Sequence, residues 1–89
     1  MNVKVIIDID TPPKEKDLDN LRRAASKLTN NQKSITVQTA QTDNRISLLT
    51  SFTMRTTAQY KVIDDIWSEF NFWTFDLKGY QNMSVSFPK

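Results

Sequence analysis

The apolar residues of this chain change period along its length, and the order of the changes restricts the folds open to it. Val3, Val5, Ile7 and Ile9 alternate with Lys4, Ile6 and Asp8, the period of a β-strand with one buried face. Pro12 and Pro13 interrupt the pattern. Beyond them Leu18, Leu21, Ala25 and Leu28 recur at helical spacing, which makes a helix with one apolar stripe. Thr11 is the expected N-cap, with Pro12 or Pro13 at the first helical position. The "TNN" at 29–31 is the expected stop, because asparagine tolerates the left-handed conformation of a helix C-cap.

Alternation then returns twice. Ile35, Val37 and Thr39 share one side of a second strand, and Ile46, Leu48, Thr50, Phe52 and Met54 share one side of a third. Asp43 and Asn44 between them suit a tight hairpin turn. "TTAQ" at 56–59 reads as a capping box, with Thr56 as N-cap and Gln59 reaching back. It opens a helix whose stripe is Tyr60, Ile63, Ile66, Trp67 and Phe70. The next residues are rich in phenylalanine, tryptophan and threonine, which favour a strand running from Phe72 to Leu77. Gly79, the chain's only glycine, marks a turn before a last strand holding Met83, Val85 and Phe87.

The resulting order is β-α-β-β-α-β, with an extra C-terminal strand as an option. That is the split βαβ arrangement of ferredoxin-like domains. The expected fold class is α+β: an antiparallel sheet with two helices on one face and the other face open. With 89 residues, positions 1–89 are expected to form one domain.

Composition narrows the chemistry. The chain has no cysteine and no histidine, so thiol nucleophiles, thiolate metal sites, disulfides and imidazole bases are all excluded. Any catalysis would rest on carboxylates, lysine, tyrosine or hydroxyls. The formal charge is only +2, from 12 basic and 10 acidic residues, a sparse signal for a nucleic-acid binder. No glycine-rich loop of the P-loop or Rossmann type is present. No apolar run approaches the ~18 residues that span a bilayer. The start does not read as a signal peptide, and the expected setting is cytoplasmic, without a membrane.

Asp8 and Asp10 stand one residue apart where the first strand ends. Carboxylates so placed can share a hard divalent cation, and the segment resembles the opening of the haloacid dehalogenase phosphohydrolases. The likeness stops there. The position two beyond Asp10 is Pro12, the threonine comes one place early at Thr11, and Asp64-Asp65 falls inside a predicted helix. The chain also lacks the length of that family's doubly wound sheet, so the match is rejected. In size and element order the chain is similar to the small CRISPR spacer-acquisition subunit, which also ends its first strand on an aspartate. The arginine-rich first helix and glycine-centred second strand of that family are missing, and the likeness carries little weight. Asp8 and Asp10 are read first as a polar strand stop that also suits the positive end of the following helix.

The first helix carries Lys16, Arg22, Arg23 and Lys27 on its outer side, with Asp19 placed to pair with Arg23. The second carries Asp64, Asp65 and Glu69, with Lys61 placed to pair with Asp65. RNA-recognition domains of this fold stack bases on aromatic residues of the central strands. Here those positions hold Lys4, Ile6 and Asp8, and Ser47, Leu49, Ser51 and Thr53. The densest aromatic run is Tyr60, Trp67, Phe70, Phe72, Trp73, Phe75 and Tyr80. On a strand, Phe70 and Phe72 would face one way and Trp73 and Phe75 the other. One layer of helices cannot cover both sides, so some rings are expected at the surface, where they mark an interface.

The favoured reading is a small non-catalytic interaction or regulatory domain, homodimeric or bound to another protein, through Trp73, Phe75, Ile6 and Leu49. The first alternative is a nucleic-acid-associated domain using Lys16, Arg22, Arg23 and Lys27. The second is a metal-dependent phosphoryl-transfer or nuclease activity at Asp8 and Asp10. No cofactor is expected.

Overall fold

A computed structural model describes residues 1–55, 59–75 and 77–88, with the side chains of residues 59–61 left aside. The elements follow in the order β1 (Asn2–Ile9), α1 (Glu15–Leu28), β2 (Thr36–Thr42), β3 (Arg45–Thr53), α2 (Gln59–Thr74) and β4 (Tyr80–Ser86), with a 3-10 turn at Gln32–Ser34. The four strands form one sheet in the order β2-β3-β1-β4, and every neighbouring pair is antiparallel. Both helices lie on one face. This is the α+β, ferredoxin-like arrangement that the order of periods predicts.

The alternation in β1 decides which face is covered. Val3, Val5, Ile7 and Ile9 are buried, with Leu48, Phe52 and Met83 beside them from β3 and β4. The helices supply Leu21, Ala24 and Ala25 from α1 and Val62, Ile66 and Phe70 from α2. The Phe70 ring stacks on Phe52 at a centroid distance of 6.1 Å, joining α2 to the middle of the sheet. Thr50 sits among these apolar groups fully buried, and among the described residues its hydroxyl has no hydrogen-bond partner. Leaving such a group unpaired costs about 1–3 kcal/mol, a cost the surrounding apolar packing offsets.

Three local expectations are corrected. Helix α1 begins after both prolines, not at Thr11: Lys14 is the N-cap, and its N–H donates to the Asp17 carboxylate at 2.9 Å. Asp17 reaches back from the third helical position to accept from the N-cap backbone, the return half of a capping box. The helix ends without a left-handed residue, because Gly79 alone has positive φ among the described residues. Thr29 is extended, and its N–H donates to the Ala25 carbonyl at 2.9 Å. Its hydroxyl donates to the Thr53 carbonyl at 2.6 Å, tying the helix end to β3.

The third correction is larger. Residues 72–74 are helical, so the strand expected from Phe72 to Leu77 does not form. A single strand, β4, follows, and the sheet has no further C-terminal strand among the described residues. The reason lies in burial. Val62, Ile66, Phe70 and Thr74 recur every four residues and all are buried, so continuing the helix covers the sheet for one more turn. That gain exceeds the modest intrinsic strand preference of Phe, Trp and Thr. The capping box expected at Thr56 and Gln59, the stripe position Tyr60 and the Lys61–Asp65 pair lie outside the described residues or side chains. No described helix is long and apolar enough to cross a membrane.

Gly79 closes the α2–β4 connection. Its φ is +80°, and a Cβ there would collide with Asp10 Oδ1 and come within 2.6 Å of Thr11 Oγ1. Only glycine meets both the backbone and the space requirement. Gly79→Ala is therefore expected to lower unfolding free energy by about 2 kcal/mol or more. Chemical denaturation checks this, and an unchanged midpoint would show that the turn tolerates a side chain.

Candidate functional site

Three surfaces hold the residues singled out by sequence. The first is the end of the sheet where β1 stops. Asp8 lies on the open face, as alternation requires, and accepts a hydrogen bond from Ser47 Oγ at 2.7 Å. Asp10 lies just past the strand. Its Oδ1 accepts from Thr11 Oγ1 at 2.9 Å and its Oδ2 from Gln81 Nε2 at 3.0 Å. Its N–H donates to the Gly79 carbonyl at 3.0 Å. The pairing of β1 with β4 shifts register at Asp8 and Ile9, and this irregularity brings Gln81 to Asp10. Neither Gln81 nor Gly79 was legible as a partner of Asp10, because their placement depends on that shift.

Asp8 and Asp10 border an open cleft of about 490 Å³ together with Ile9, Asn44, Arg45, Gln81 and Asn82. The groups there include donors and acceptors, and Arg45 is a cation beside the two carboxylates. Among the described residues no cluster of three or more acidic side chains could hold a metal ion. The hydrogen bonds seen do structural work. Asp10 ties the end of β1 to the start of β4, and Asp8 ties β1 to β3.

The second surface is the outer side of α1. Arg22 pairs with Asp19 at 2.7 Å, so Asp19 takes the residue three positions on and not Arg23, the expected partner. Lys27 reaches across to Glu69 of α2 at 3.3 Å. The oppositely charged outer sides of the two helices thus meet in an ion pair. Lys16 and Arg23 remain exposed. Arg22 and Arg23 border a shallow hollow with Ser26, Gln32 and Ile35. Two of the four basic residues are engaged by carboxylates, which thins the positive surface available to a phosphate backbone.

The third surface is the C-terminal end of α2. Because these residues are helical, alternation does not divide the rings. Phe70 points inward and is fully buried, while Phe72 is 68% exposed and Phe75, just past the helix, 92% exposed. Trp73 is half-buried against the core and meets Phe72 edge-on at 5.0 Å. Its indole N–H is buried without a partner among the described residues. Tyr80, 37% exposed, stands across the turn. Asn71, Thr74, Phe75, Leu77, Gly79 and Tyr80 outline a shallow hollow.

The four residues expected to share an interface are split between two surfaces. Ile6 and Leu49 are cross-strand partners on the open sheet face. Trp73 and Phe75 lie with the helix layer on the opposite side. Phe72 and Tyr80, which sequence reasoning left out of the interface set, join Phe75. Once residues 72–74 are taken as helical, the three-residue spacing of Phe72 and Phe75 is the signal that pairs them.

No protein-family model matches the chain, and no curated protein matches it. Among solved structures it is similar to the de novo designed protein Ferredog-Diesel, with a TM-score of 0.53 and 15% identity over 97% of this chain and 84% of that one. It is also similar to a protein described as "putative Antibiotic biosynthesis monooxygenase" from Chloroflexus aurantiacus J-10-fl. That TM-score is 0.44, with 9% identity over 100% of this chain and 94% of that one. The first likeness shows the fold alone. The second carries no argument.

If Asp8 and Asp10 serve as strand ties, millimolar Mg²⁺ or Mn²⁺ leaves the melting temperature unchanged, since only a ligand that binds the native state raises it. A rise of several degrees that is lost in Asp8→Asn would assign a cation to the pair.

Proposed function

We propose that this chain is a small non-catalytic interaction domain that works as a homodimer and holds a partner protein on the aromatic end of α2. The observation that carries the reading is the exposure of Phe75 and Phe72, 92% and 68%, beside a third ring, Tyr80. Leaving a phenylalanine in water forgoes about 1.5–3 kcal/mol of burial energy, in a domain whose total stability is of order 5–15 kcal/mol. Large rings grouped at one spot are what the centre of an interface uses, because few residues supply most of its binding energy. The adjoining hollow of about 680 Å³ is bordered by Leu77, Thr74 and Asn71 as well as by Phe75 and Tyr80. An apolar side chain from a partner fits that chemistry, with Asn71 as a polar contact at the margin.

The neighbouring carboxylates and cations do not compete for this role. Asp8 and Asp10 are held by hydrogen bonds to Ser47, Thr11 and Gln81, and the outer sides of the helices neutralise part of their own charge. We place the domain in the cytoplasm, where a chain without cysteine forgoes no disulfide.

Selection of displayed peptides on the purified protein tests the reading. Peptides with apolar or aromatic anchors are expected at micromolar affinity, weakened about tenfold or more by Phe75→Ser, a loss of about 1.4 kcal/mol. Because Phe75 touches solvent, its replacement leaves the denaturation midpoint nearly unchanged. Peptides whose binding ignores Phe75→Ser and Phe72→Ser, or no selected sequence at all, would contradict the assignment.

A further inference from the structure

Strand β2 forms one edge of the sheet, so among the described residues one row of its backbone N–H and C=O groups has no strand beside it. Natural sheets guard such an edge with charges, proline or a bulge, because an unguarded edge pairs with another strand. Residues 34–42 contain no charge and no proline. The pairing of β2 with β3 runs without a shift from Thr36 to Thr42, so no bulge twists the edge away. Apart from Val37, every side chain of β2 is exposed. The opposite edge, β4, is likewise without charge or proline over Tyr80–Ser86, and it differs at its ends. Strand β4 carries a register shift at its start, and Pro88 follows two residues after its end.

The nearest charges on either side of β2 are opposite: Lys33 stands three residues before it and Asp43 directly follows it. Both are exposed and neither forms an ion pair among the described residues. An antiparallel pairing of β2 with β2 of a second copy, centred on Gln38, brings Lys33, in the 3-10 turn before β2, to the same end of the pairing as Asp43 of the other copy, in its hairpin turn. The same register places Val37 against Thr39 and Thr36 against Ala40, small or β-branched pairs that pack well across strands. Because the segment is uncharged, self-pairing creates no like-charge contact within it.

We propose that the homodimer forms by edge-to-edge pairing of β2 with β2 about a two-fold axis at Gln38, giving one continuous eight-stranded sheet. This rests on the homodimer of the proposed function and names its surface. Tyr80 begins β4, at the far edge of the sheet from β2. The aromatic ends of both copies therefore stay uncovered, and the assembly presents two partner sites, which raises its avidity for a partner that carries two matching segments.

Single cysteines test this directly, since the chain has none of its own. Opposed residues of an antiparallel pair have Cα atoms about 4.5–5.5 Å apart, within disulfide range. Gln38→Cys is expected to give a disulfide-linked dimer under mild oxidation, and Ser84→Cys, exposed on the opposite edge, is not. Gln38→Lys sets two cations together on the axis and is expected to raise the dimer dissociation constant about tenfold or more. Mixing it with Gln38→Glu restores association. A wild-type mass of one chain at high micromolar concentration overturns both this surface and the homodimer. A dimer that survives Gln38→Lys unchanged, or that cross-links equally at Ser84, overturns the β2 edge and leaves the homodimer standing.

Discussion

The burial of β1 is the constraint on which the rest of this structure depends. It is paired on both sides, with β3 across its whole length and with β4 from Lys4 onward. Four of its side chains, Val3, Val5, Ile7 and Ile9, are almost completely removed from water. Each contributes about 1.5–3 kcal/mol by burial, and together they define the plane on which both helices rest. Where β1 stops also matters. Asp10 binds the Gly79 carbonyl and the Gln81 amide, so the end of the first strand positions the turn that starts the last.

A sheet covered on one face leaves the surfaces from which function is read. The open face carries the Ile6–Leu49 pair between Ser47 and Ser51, a weakly apolar centre in a hydroxyl-rich surround. The helix layer ends in rings that its own core does not use. Phe70 reaches Phe52, and the turn beyond it delivers Phe72 and Phe75 to solvent. The helix covers the core up to its last residue, Thr74, and the chain leaves it there with Phe75 in solvent. Tyr80, the first residue of the edge strand β4, places this aromatic surface at the far side of the sheet from β2.

Much of the fold was legible because burial and period agree. The alternation from Val3 to Ile9 gave the covered face of β1, and the Leu18, Leu21, Ala25 and Leu28 stripe gave α1. Asp8 on the open face followed from parity alone. Other features depended on contacts distant in sequence. The last turn of α2 reads locally as strand, and only the sheet beneath Phe70 and Thr74 makes helix the better solution. Choosing Lys14 over Thr11 as N-cap depended on where Asp17 could turn back. Exposed rings were expected near the C-terminus, but their identity changed with the element. A strand would have opposed Phe72 to Phe75, whereas the helical course puts both at the surface and draws Trp73 toward the core.

Amide hydrogen exchange along the chain tests the central place of β1 most directly. Flanked by strands on both sides and roofed by helices, its amides should open only when the whole domain unfolds. The account predicts that Val5, Ile6 and Ile7 exchange slowest, with an opening free energy equal to that of global unfolding. The amides in the last turn of α2 should exchange much faster. Exchange in β1 as fast as in that last turn would contradict the account, because the strand on which everything else is placed would then open on its own.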